Sequence, residues 1–112
     1  MIVMKHSTKD RQLTQKENHI INLLSANDTL YIKTFDLVYN HYLINFLMSK
    51  SNHFLVLKAV YVEKVPFAKW SLANYCHISK STLFDYRNDI IDCFHMCLKE
   101  NIVTEESSAT KG

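Results

Sequence analysis

Glycine occurs once in the 112 residues, as the terminal Gly112, and proline once, as Pro66. Tight hairpin turns need positive φ angles that glycine supplies most readily, so a chain with no internal glycine is poorly equipped for β-hairpins. Its reversals must rest on Asn, Ser and Asp at short joints, which favours helices joined closely. The expected fold is therefore all-α, a helical bundle with a C-terminal helix-turn-helix. Hydrophobic residues make up 47% of the chain and charged residues 21%, enough apolar material for one core at this length and too much for a disordered segment.

Read in order, residues 1–13 are polar, mixed in charge and without period, which reads as a mobile arm: Lys5, Lys9 and Arg11 can lie along a minor groove, but an ordinary frayed terminus is the favoured reading. A single helical domain is expected over 14–100. Thr14-Gln15-Lys16-Glu17 has the form of a capping box, and the helix it opens carries Ile20, Ile21, Leu23 and Leu24 before Ser25-Ala26-Asn27-Asp28 ends it. Leu30 to Lys33 reads either as a brief extended piece or as the next helix beginning early. From Thr34 to Lys50 the pattern is helical and apolar around most of its circumference, with Leu37, Val38, Tyr42, Ile44 and Leu47 among its apolar positions. Such a helix is either wrapped by its neighbours or shared with a second subunit. Ser51 is placed to cap a further helix, Asn52 to about Lys64, with Phe54, Leu57, Val60 and Tyr61 inward, Lys58 and Glu63 in water, and Pro66 as its stop. Trp70 reads as core filler between helices. Residues 101–112, with Glu105 and Glu106, read as a flexible tail and offer poor material for a wing.

The helix-turn-helix is placed at 67–98. A helical pattern from Ala68 to Tyr75 meets a tight joint, Cys76-His77-Ile78, and a capped periodic helix follows from Ser79. Leu72, Cys76, Ile78, Leu83 and Tyr86 fall where the two helices must pack, and Ala73 falls at their closest approach, where a larger side chain would force them apart. Leu83, Tyr86, Ile90, Phe94 and Cys97 or Leu98 then keep a three-four spacing to about Glu100. In the DNA-binding use of this motif the N-terminal residues of the second helix meet the base edges. That assigns Ser79, Lys80, Ser81, Phe84, Asp85 and Asn88 to the outward face, with Lys80 and Arg87 as the cations for phosphates.

The run Leu72-Ala73 through Ile78-Ser79-Lys80-Ser81-Thr82-Leu83-Phe84, followed by Ile90, Ile91 and Phe94, resembles the recognition helix and amphipathic tail of the Mga-type transcription regulators of low-GC Gram-positive bacteria. It covers a third to a half of the chain. The resemblance implies a bacterial, sequence-specific DNA-binding regulator of transcription. The chain departs from the family at Asp85, where a basic residue is usual and where an acidic group can accept only from a cytosine amine, and more mildly at His77.

Net charge is +2, which permits nucleic-acid binding without the strong basicity of a chain that binds by charge alone. The three cysteines, Cys76, Cys93 and Cys97, are an odd number in apolar surroundings and read as reduced thiols of a cytoplasmic protein. Neither a signal peptide nor a membrane-spanning run is expected. Cys93-Phe94-His95-Met96-Cys97 invites a zinc reading, but on a helix His95 points away from the face the two thiols share, so no metal and no cofactor is assigned. With no glycine-rich phosphate loop and no nucleophile-base frame, neither an enzyme nor a small-molecule substrate is expected. The expected partners are double-stranded DNA and a second copy of the chain, paired through the Thr34–Lys50 helix. A competing reading comes from Asp85, Asp89 and Asp92, which share a face at helical spacing and suit a protein-protein interaction module of a plasmid or phage system.

Overall fold

Five α-helices form among the residues that the computed structural model describes, 3–65 and 71–111, and no strand is found there. Side chains are described for 10–65 and 72–104, so the expectations for Pro66, Ala68 and Trp70, and for the side chains of Lys5, Lys9, Glu105 and Glu106, lie outside the described residues. In chain order the helices are α1 (Val3–Ser25), α2 (Thr29–Leu47), α3 (His53–Leu57), α4 (Ser71–Tyr75) and α5 (Lys80–Lys111), with a π-helical turn, Lys58–Val62, continuing α3. The fold is all-α.

Without internal glycine, three joints close in one way on other residues. Asn27, Ser49 and His77 each take a left-handed φ, at 62°, 57° and 59°. At each, the left-handed residue's amide bonds back three positions and the next amide five. Asn27 and Asp28 bond to the Leu24 and Leu23 carbonyls, Ser49 and Lys50 to those of Phe46 and Asn45, and His77 and Ile78 to those of Asn74 and Ala73, all at 2.8–3.1 Å. These bonds satisfy carbonyls the helix end leaves open, against a steric cost of about 1–2 kcal/mol for a residue that carries a Cβ. Lys64 is left-handed too, at 56°, beyond the π turn.

Several boundaries differ from the sequence reading. The expected arm is the first half of α1, and Leu13 within it is buried. Thr14 and Glu17 therefore sit in mid-helix and cap nothing. α2 begins at Thr29, where the Asp28 carboxylate accepts from the Tyr31 amide at 3.0 Å, which settles the Leu30–Lys33 ambiguity as helix. Ser51 caps nothing either; its hydroxyl is buried without a partner, and α3 starts two residues later. The widened turn that follows lets Ala59, Val60 and Tyr61 all face inward in succession, where a regular α-helix would have turned one of them out. The expected tail continues α5 to Lys111, and Asn101 is buried, its amide donating to Thr34 Oγ1 at 2.9 Å.

α2 and α5 run antiparallel, with Thr34 level with Asn101 and the Tyr42 hydroxyl donating to the Asp89 carbonyl at 3.3 Å. α1 and α3 pack against this pair. The core lies between them, with Phe94, Ile20, Leu57, Val38, Val56 and Val60 fully covered and Tyr31 resting on Phe94 at a ring separation of 5.3 Å. No helix among the described residues is long and apolar enough to cross a membrane.

Candidate functional site

α4 and α5 are joined by a tight turn at His77. Leu72, Ala73, Cys76 and Leu83 are buried and Ile78 and Tyr86 half-buried, with the Cys76 thiol donating to the Leu55 carbonyl of α3 at 3.8 Å and Tyr86 stacked on His53. The start of α5 stands out in solvent, with Ser79, Lys80 and Ser81 exposed. Ser79 is its cap: the hydroxyl accepts from the Thr82 amide at 3.1 Å and lies 2.9 Å from the Thr82 hydroxyl, while the Ser79 carbonyl takes the Leu83 amide. The remaining first-turn amides, those of Lys80 and Ser81, have no intrahelical acceptor and point out of the helix end, where the helix dipole is positive.

Four of the seven expected site residues, Ser79, Lys80, Ser81 and Asp85, are exposed around that end. Phe84 and Asn88 are half-buried further along, and the Asn88 amide donates to the Phe84 carbonyl at 3.0 Å, which leaves its own side-chain oxygen available. Arg87 is a correction. It was expected to anchor a phosphate, but it is only 5% exposed and turned into the protein. Its Nε and Nη2 donate to the two Glu17 carboxylate oxygens at 2.9 and 2.6 Å, Nη2 also to Thr14 Oγ1 at 3.1 Å, and Nη1 to Asp10 at 3.0 Å. Burial pushes the Glu17 carboxyl above its usual range against the pull of the guanidinium. Burial also pulls on Arg87, but its bonds to Glu17 and Asp10 outweigh this and hold it charged. The guanidinium is a strut between α5 and α1.

The acidic face is also altered by the fold. Asp85 and Asp92 are exposed and, among the described residues, enter no ion pair, whereas the Asp89 carboxylate lies 2.9 Å from His53 Nε2. His53 is itself stacked between Tyr86 at 3.8 Å and Tyr42 at 5.2 Å, so Asp89 belongs to a clasp that joins α5 to α3 and α2. Nothing in the sequence marked His53 for this place. Its partners on α5, Asp89 and Tyr86, lie more than thirty residues away along the chain.

Cys93 and Cys97 are half-buried thiols on the inner flank of α5, and Cys76 is buried under the joint. Burial, with Cys97 close by, pushes the Cys93 thiol up to about 11. Among the described residues no three His, Cys, Asp or Glu side chains converge as a metal site. An open groove between α1 and α5 is lined by Gln12, Gln15, Lys16, His19 and His95 and brings no nucleophile to a base. No protein-family profile, no curated protein and no solved structure matches the chain.

Proposed function

We propose that this chain is a cytoplasmic, sequence-specific DNA-binding regulator of transcription that reads double-stranded DNA with the N-terminal end of α5. The observation that carries the reading is the capped, solvent-exposed start of a long helix held clear of the body by a tight joint, with Ser79, Lys80 and Ser81 all outward. The Lys80 ammonium and the outward amides meet phosphate, and Ser81, Asp85 and the free side of Asn88 reach base edges, with Phe84 beside them for a thymine methyl. The likeness of Ile78 to Phe84 to the Mga-type recognition helix supports the same assignment. Arg87 has no part in it.

Anisotropy of labelled AT-rich and random-sequence duplexes between about 50 and 200 mM salt tests the reading. Affinity that falls steeply with salt and singles out one duplex is the expected result. An absence of binding at the lowest salt would defeat it.

A second reading is favoured by one feature: Asp85 and Asp92 are exposed on the outer face of α5 and, among the described residues, enter no ion pair. A module that binds a basic partner protein would use that face. It predicts no DNA binding and loss of the partner on Asp85→Arg or Asp92→Arg.

A further inference from the structure

We propose that the outer face of α2 is a two-fold contact between copies of this chain, and that it sets two α5 N-termini one turn of DNA apart. The spacing rests on the DNA reading above; the contact itself does not.

Leu37 and Ile44 on α2 and Met48 at its C-cap recur at intervals of seven and four, on the flank away from the buried Val38 and Tyr42, with Leu47 beside them. They are 49%, 55%, 58% and 70% exposed in that order, Leu47 being the most open. Together they leave on the order of 450 Å² of apolar surface uncovered, the size at which the largest patch on a monomer is often functional. Lys33, Asn40 and His41 border the stripe, which carries no acidic group at its centre.

The stripe complements itself. With a two-fold axis between Asn40 and His41, two α2 helices run antiparallel, Leu37 of one copy meets Ile44 of the other, and Met48 lies on the stem of the other copy's Lys33, whose ammonium reaches water. One helix face supplies about half of the roughly 800 Å² per partner that a stable complex buries. The free pair is therefore weak, and two half-sites on one duplex complete it.

The position of α5 gives the spacing. Asp89 is level with Tyr42, next to the proposed axis, and from Asp89 back to Lys80 the helix runs on past the end of α2. At about 1.5 Å per residue each Lys80 stands roughly 16 Å from the axis measured along the helix direction, and the two roughly 32 Å apart in that direction, to which the sideways offset of α5 from α2 adds a little. Half-sites of helix-turn-helix dimers lie about 34–36 Å apart, one turn of the duplex.

Two experiments on the full chain test this. Selection from a random-sequence duplex library is expected to enrich an inverted repeat with centres about 10 bp apart. A single unpaired motif would overturn the pairing and leave DNA reading intact; no enrichment would overturn the reading and the spacing with it, leaving the contact to the second experiment. In sedimentation equilibrium at about 1 mM, where even a millimolar dimer is well populated, the average mass should exceed the 13.1 kDa of one chain. A monomer throughout would overturn the contact. Leu37→Glu should return the mass to one chain, and Leu37→Glu combined with Ile44→Lys should restore dimer, because each new glutamate then faces a lysine across the axis. Both positions are exposed, and matching thermal melts confirm that the variants fold. A folded double variant that stays monomeric would overturn the register.

Discussion

Arg87 on α5 holds Glu17 on α1 by two edges of its guanidinium, with Nε 2.9 Å from one carboxylate oxygen and Nη2 2.6 Å from the other, and Glu17 is wholly covered. Removing one partner strands a charge in the core. Arg87→Met should therefore cost about 3–5 kcal/mol in urea unfolding, while Glu17→Met with Arg87→Met, which removes both charges, should recover most of that loss. A double variant no more stable than Arg87→Met would mean that the pair is not the source of the loss.

His77 carries a side chain at a left-handed φ of 59°, a conformation that costs glycine almost nothing. His77→Gly should stabilise the protein by about 0.5–1 kcal/mol, a rise of a few degrees in Tm, with Ser49→Gly close behind and Asn27→Gly gaining least because asparagine tolerates that conformation. Thermal melts of the three variants check the order.

Ser79 caps α5 at the end assigned to DNA, so its two roles can be separated. Ser79→Asp keeps a capping oxygen and adds a charge the helix dipole favours, so stability should hold or rise, yet the carboxylate repels phosphate and duplex affinity should fall at least tenfold. Lys80→Ala should flatten the salt dependence by about one unit of slope with little change in stability. If Ser79→Asp binds duplex as tightly as the parent at about 100 mM salt, this helix end does not face DNA.

The Cys93 thiol, raised by burial to about 11, titrates well above an unfolded thiol at about 8.5. A group raised by folding contributes stability that is complete below its unfolded value and lost as pH climbs through its folded one. Urea midpoints should thus fall between about pH 8.5 and 11, and Cys93→Ala should fall less over the same interval. Equal losses in both proteins would assign the decline to other groups.

Much of this was legible along the chain. The scarcity of glycine and proline pointed to helices, and the spacing of Leu72, Cys76 and Leu83 located the joint where it occurs. The errors share a cause. Thr14 and Glu17 have the same form whether they cap a helix or serve as ligands within one, and the absence of a break upstream was the clue that α1 began earlier. Glu17 lies on one line with Leu13, Ile20 and Leu24, and Arg87 on one with Leu83, Ile90 and Phe94, so each charge interrupts an apolar stripe. Opposite charges in such places signal a buried pair, but a contact across seventy residues leaves no local mark to say that these two meet.

Among the described residues α5 touches α1, α2 and α3 at once. Its first turn stands at the exposed joint, its middle is clamped by α1 through Arg87 and by α3 through His53, and its far end locks to α2 through Asn101. These four helices leave no seam between them along which one can melt while the others stay formed. Amides from Leu83 to Asn101 should exchange with solvent only in global opening, and a partner that grips either end of the rod stabilises the whole chain.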